Sequence, residues 1–447
     1  MPLRHSFLGE AKKGEEMKKS IYQTWGATAA AFAMVSASIV AGSPASAATK
    51  TTITYWTHVN GPTNVFEKDL IAQYQKANPT VKVNYLPVEW GVLPTKLKTS
   101  IAGGGGPDLF NFFGGYASEL ISKKMVSPVD FSAFGLKNGK KDLLKNYLPA
   151  VVNGFSAGTT VYGIPHEVSN HVYWINTDQF AAAGLSAADY PKTYDDVIRV
   201  GKILQAKPSG GLKEALVMPQ YNAIRETLTL QMMARQAGGS LFSADGKKPQ
   251  LDSASVVRAL QMWGDLANTH GLNQPALGPT ASNYPEDLFG AGTAAMNNTG
   301  GPWVVKVLSD TYPTIKYKVL QQPTFKGGVQ AGGTLYGFGL FVPSTSKQKA
   351  AAWKFASFLQ SKGQDYFDKT GVWLGDNKTF KSAATKAYPS WSAFATNFAA
   401  GEFLPPIVKY SELIDVIDRA IQRVVLEKKS ASESLAVAQS EALLLMR

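Results

Sequence analysis

The chain of 447 residues contains no cysteine. That excludes disulfides, thiolate metal sites and cysteine nucleophiles. It also excludes a lipid-anchored leader, which needs a Cys at its cleavage point. Histidine is scarce, at five residues. No metal-ligand cluster, His-Glu-x-x-His element or Ser-His-Asp arrangement stands in the sequence, so the residues predict neither metal nor cofactor and no catalytic group. Acidic residues are outnumbered, 33 to 45 Lys and Arg, for a net charge of +12. Those basic residues are scattered, with no dense run beyond Lys-Lys pairs and no zinc finger, which argues against nucleic acid. Past residue 47 no segment is long and apolar enough to span a bilayer.

What is present begins with a leader-like segment. Lys18 and Lys19 precede a small, apolar stretch from Gly26 to Gly42, and Ala45-Ser46-Ala47 follows as an A-x-A cleavage site. Residues 17–47 therefore read as a secretory signal peptide, with Ala48 as the first mature residue and Met17 as a candidate start. The 40 basic and 30 acidic residues that remain leave +10, which keeps an anionic ligand in play. Aromatics make up 11% of the chain. They serve as core filler, and they also stack on sugar faces.

Strand and helix signals alternate. Residues 51–57 are β-type, Asn60-Gly61-Pro62 breaks the run, and Val65, Leu70, Ile71 and Tyr74 recur at helical spacing up to Asn78-Pro79. Residues 81–85 alternate as a second strand, so β-α-β order predicts a parallel pair. A helix over 93–101, four glycines at 103–106 and an apolar run at 109–113 follow. The glycines lack the Gly-Lys-Ser/Thr end of a phosphate loop and read as a connection. Further strands are expected at 172–175, 317–320 and 337–342. Helices are expected at 186–205, 223–238, 253–270, 285–290, 347–359, 410–426 and 430–446. The fold class is α/β, with no internal repeat.

Several ordered motifs then carry a resemblance. Gly106-Pro107-Asp108-Leu109, Tyr162-Gly163-Ile164-Pro165 with Tyr173-Trp174-Ile175-Asn176, and Pro191-Lys192-Thr193 are three of them. Ala237-Gly238-Gly239-Ser240-Leu241-Phe242, the stretch from Phe289 to Met296, Gly301-Pro302-Trp303, and Ala351 with Trp353-Lys354-Phe355 are the others. In order and spacing, along nearly all of residues 50–446, the chain resembles the bacterial extracellular solute-binding family that includes maltose-binding protein. The resemblance implies a two-lobed periplasmic-binding-protein fold of type II. Lobe 1 would comprise 48–166 plus 338–385, and lobe 2 would comprise 167–337 plus 386–447, with a ligand cleft between them. It implies a monomeric periplasmic protein that hands a sugar or oligosaccharide to the transmembrane subunits of an ABC importer. Leu413 and Ile414 stand where maltose binders carry aromatics, and Asn60 and Gly61 replace a charged pair, so maltose itself is not expected. A sugar phosphate or uronate on the same fold, and a secreted carbohydrate-active enzyme, stay open as alternatives.

The family holds ligand at strand ends and in hinge-side loops, which nominates specific residues. Trp56, His58 and Asn60 follow the first strand, with Trp56 reading equally as core. Glu89 and Trp90 follow the second, pairing a hydroxyl-accepting carboxylate with a stacking ring. Asn111 and Phe112 belong to the third. His166, Glu167, Ser169 and Asn170 form a polar run at the first crossing between lobes, suited to ligand or to a hinge network. Trp303 matches a family position that stacks on a ligand ring, assisted by Asn298. Gly333 and Tyr336 mark the second crossing, where glycine permits hinge torsions or close ligand approach. Trp373 is a further candidate wall.

Overall fold

The computed structural model describes residues 50–274 and 284–447, and the expected leader and cleavage site lie outside them. In chain order the strands are β1 (Thr51–His58), β2 (Val81–Val88), β3 (Leu109–Phe113), β4 (Ser156–Ala157), β5 (Thr160–Val161), β6 (Gly163–Ser169), β7 (Tyr173–Asn176), β8 (Glu214–Val217), β9 (Ala294–Asn297), β10 (Tyr317–Leu320) and β11 (Tyr336–Phe341).

β1 and β2 pair in parallel from Thr51 opposite Val81 to His58 opposite Val88, joined by the helix Gly61–Ala77. The Asn60-Gly61-Pro62 segment starts that helix rather than only ending the strand. Proline in the first turn gives up an N–H that has no intrahelical partner there. The first sheet has the order β2-β1-β3-β11-β6, with β11 antiparallel to both neighbours. The polar run expected as a loop at 166–170 is mostly strand: β6 extends to Ser169 and is buried along its length. Its Pro165 is tolerated because β6 is the last strand in the order and the register shifts beside it, between Phe338 and Gly339.

The second sheet has the order β10-β7-β9-β8. β8 and β9 escape sequence reading because they are four residues long and show no polar–apolar alternation, and the Ala-Ala-Met of β9 favours helix by propensity. Only residues 170–172 separate β6 in the first sheet from β7 in the second, and residues 321–335 make the return from β10 to β11. The changeovers fall after Ser169 and before Tyr336.

Each sheet has its own packing. Ile53, Leu109 and Leu340 of the first sheet meet Trp353, Phe355 and Leu359 of the helix Lys349–Gln360. Around the second, Ile175, Leu216 and Met296 share a core with Leu413, Ile417 and Val424 of the helix Tyr410–Val425. In that helix Leu413, Ile417, Ala420 and Val424 recur three or four apart, so one stripe faces the core. Burying each such Leu, Ile or Val contributes about 1.5–3 kcal/mol. Leu413 and Ile414, at positions where maltose binders carry aromatics, are therefore core residues here. Among the described residues no helix is long and apolar enough to cross a membrane.

Gly333 owes its glycine to packing. A Cβ there would sit 2.0 Å from the backbone oxygen of His171, which belongs to the crossing between the sheets. Gly333→Ala should therefore force the two crossings apart and destabilise the fold by about 1–3 kcal/mol, the usual overpacking range. Chemical denaturation of the variant checks this.

Candidate functional site

β1, β2 and β3 run parallel, so their C-terminal ends open on one side of the first sheet. Ligands in open α/β sheets collect outside such ends. A cleft of about 360 Å³ lies there, within the range of small-molecule sites. His58, Asn60, Glu89, Trp90 and Phe113 border it from these strand ends, and Glu167, Tyr336 and Phe338 from β6 and β11. The opposite border comes from the starts of three helices. Arg225 and Leu228 belong to Ala223–Gln236, Glu286 and Asp287 to Pro285–Gly290, and Trp303 and Val307 to Trp303–Thr311. His171 and Tyr284 also line the cleft.

The rings interlock. His58 stacks on Phe338 with centroids 4.5 Å apart, and Trp90 meets the edges of both. Trp303 donates its indole N–H to the Tyr336 hydroxyl at 3.1 Å. Arg225 makes a two-pronged ion pair with Glu286, at 2.7 and 3.0 Å. Its guanidinium carbon lies 5.5 Å from the Trp303 ring centre and 5.4 Å from that of Tyr284. Planar Arg suits both jobs, the fork for carboxylate and the face for the ring.

Burial neutralises much of the remaining charge. It pushes the Glu167 carboxyl up to about 8, aided by the negative charge of Glu67. Burial also lowers His58 to about 4, against the pull of Glu67, and lowers His171 to about 3 with help from Arg225. At neutral pH Glu167 is thus a hydroxyl donor as well as an acceptor, and both imidazoles are uncharged. The Nδ1 atoms of His58 and His171 are buried without a protein partner.

Of the residues nominated from sequence, the structure brings together His58, Asn60, Glu89, Trp90, Glu167, Trp303 and Tyr336. The others lie outside the cleft lining. Trp56 is buried among Phe110 and Leu97, with the Lys96 ammonium 4.8 Å from its ring centre. Trp373 is buried against Phe380 and Phe398, and its indole donates to the Asp376 carbonyl. Large rings fill interiors more readily than clefts. Phe112 packs in the core beside Phe110 and Tyr116. Asn298 donates to Met218 Sδ, and its carbonyl accepts from Gln322. His166 turns away to Glu67 because side chains alternate along β6, which points Glu167 to the cleft. Asn111, Ser169 and Asn170 are buried away from the cleft lining.

Sequence reasoning missed His171, Arg225, Tyr284, Glu286, Asp287 and Phe338. Arg225, Glu286 and Asp287 sit on helix starts remote in sequence from the strand ends, and only their tertiary meeting with those ends marks them. A faint signal was available for Glu286-Asp287, two carboxylates following Pro285 at the first turn of a predicted helix.

Residues 60–366 match the family described as bacterial extracellular solute-binding protein, and the chain belongs to that family. A protein of Brucella abortus named only as a binding protein is 25% identical over 393 residues, covering 86% of this chain and 90% of its own. An ABC transporter solute-binding protein of Thermotoga lettingae, crystallised with α-D-tagatose, superimposes with a TM-score of 0.79 at 22% identity, covering 89% of this chain and all of that one. The GacH receptor of Streptomyces glaucescens, crystallised unliganded and with acarbose, gives 0.78 at 19% identity, over 89% and 98% of the two chains. The fold is the two-lobed α/β fold of type II periplasmic binding proteins.

The state of Glu167 sets a pH dependence. A carboxyl raised in the fold stabilises most below its unfolded value and loses that contribution as pH rises through about 8. Glu167→Gln, which mimics the neutral form, should show a smaller fall in melting temperature than wild type between pH 5 and 9. Parallel melting curves across that range check this.

Proposed function

We propose that the chain is the substrate-binding component of an ABC importer and that it captures a neutral sugar or oligosaccharide in this cleft. The observation that carries the reading is the pairing of aromatic faces, Trp90, Trp303 and Tyr336, with carboxyls that accept or donate hydroxyl protons. Stacking on a ring face combined with hydroxyl-matched polar groups is the chemistry a pyranose or furanose demands. The tagatose and acarbose held by the two similar structures belong to the same class.

The cleft favours a neutral cargo over a sugar phosphate or uronate. Glu89, Glu167, Glu286 and Asp287 border it, and Arg225, the cation among its lining residues, is already paired with Glu286. An anion would have to break that pair and face the carboxylates, which is costly in a buried setting. The protein works in the periplasm as a monomer whose two lobes close on the ligand, with the chain changing lobes after Ser169 and before Tyr336.

A melting screen of residues 48–447 with maltotriose, mannotriose, D-tagatose, mannitol, glucose 1-phosphate and glucuronate tests the reading. A ligand at a hundred times its Kd stabilises the fold by about 2.7 kcal/mol. Neutral compounds should raise the melting temperature. A shift with the phosphate or uronate alone would overturn the neutral assignment, and release of reducing ends from polysaccharides would favour the enzyme alternative. Trp303→Ala should leave the melting temperature of the free protein within a few degrees. It should weaken the sugar that scored by about 30-fold or more, the loss expected at a binding hot spot, read by calorimetric titration.

A further inference from the structure

The helix Gly61–Ala77 carries a glutamate on its apolar face: Glu67 shares that face with Leu70, Ile71 and Tyr74, and is fully buried. A buried carboxylate needs donors, and four converge on it. Tyr55 of β1 donates at 2.8 Å and Tyr366 at 3.1 Å to Oε1, and Tyr85 of β2 donates at 2.6 Å to Oε2. His166 Nε2 stands 3.2 Å from Oε1, while its Nδ1 lies 3.0 Å from Gln360 Nε2. With Gln360 donating to Nδ1, Nε2 carries the hydrogen toward Glu67. Burial alone would raise this carboxyl, but the hydrogen bonds from His166, Tyr85 and Tyr55 hold it below the usual value.

The network does not end at Glu67. The Tyr85 hydroxyl also accepts from Asn64 Nδ2 at 2.9 Å. The same Nδ2 donates to the backbone oxygen of His58 at 3.1 Å, and Asn64 Oδ1 accepts the backbone N–H of Asn60 at 2.7 Å. One amide thus brackets both ends of the turn 58–60, which borders the cleft. We infer that Glu67, through Tyr85 and Asn64, is a positioning residue that holds the His58–Asn60 turn in its ligand-ready form; this rests on the cleft being the solute site. Tyr366 contacts the same carboxylate with no link to the turn, which makes it a built-in control.

Backbone hydrogen exchange on the ligand-free protein reads the relay directly. Tyr85→Phe and Tyr366→Phe each remove one hydroxyl from Glu67 and should lower the melting temperature alike. Only Tyr85→Phe should speed exchange at the Asn60 amide, by about fivefold to tenfold, the equivalent of one net hydrogen bond. Asn64→Ala, which leaves Glu67 untouched, should reproduce that local change. Equal acceleration in both tyrosine variants, or none in Tyr85→Phe, would overturn the relay. In fluorescence titrations with maltotriose and with D-tagatose, Tyr85→Phe should weaken whichever sugar wild type binds by a similar factor, and Tyr366→Phe by less than about twofold; equal weakening would reduce Glu67 to a structural anchor. A wild type that binds neither sugar speaks against the proposed cargo, and the exchange rates still decide the relay.

Discussion

Strand β11 lies between β3 and β6 and runs antiparallel to both, and the rest of the architecture hangs on that insertion. The chain has by then built the second sheet and must return from it. By slotting back into the first sheet, β11 brings Tyr336 and Phe338 to the strand ends where His58, Trp90 and Phe113 already stand. Its pairing with β6 also fixes the alternation that sends His166 inward and Glu167 to the cleft. Close backbone approach makes the crossing possible: Gly333 abuts the His171 backbone, and Gly337 sits against the carbonyl of Glu167. Without that pairing the two borders of the cleft would belong to unrelated surfaces.

The electrostatics of the cleft run opposite to those of the chain. A protein with a net charge of +12 binds, on this account, at a site bordered by four carboxyls and one paired arginine. Net charge describes the solvated surface and long-range fields. Local burial decides which groups in the cleft stay charged. Glu167, shielded from solvent and near the ionised Glu67, keeps its proton, whereas Glu67 itself, with three hydroxyls and an imidazole around it, does not. Two buried glutamates therefore play opposite parts, one as a fixed anion and one as a neutral donor.

Much of this was legible in the sequence. The α/β class, the order of β1, β2 and β3 and most helix positions follow from periodicity and breakers. The half of the cleft made by strand ends follows from the rule that such ends gather ligands. Trp56 and Trp373 show the limit: an indole beside a strand end or a Gly-rich turn reads as a stacking ring, and only packing reveals it as core. Arg225 and Glu286 show the other limit, since 61 residues separate the partners of the ion pair. Glu67 was readable in principle, as a lone carboxylate on an apolar helix face, but its partners come from four separate segments of chain.

The proposed pose lays a neutral sugar across Trp303 with its hydroxyls on Glu167. A crystal structure of the protein with the sugar that scores in the melting screen tests it most directly. The expected result is a ring stacked on the Trp303 indole, with a hydroxyl within hydrogen-bond distance of Glu167 and the Arg225–Glu286 pair intact. A sugar bound elsewhere on the molecule, or an anionic group seated on Arg225 with Glu286 displaced, would contradict it.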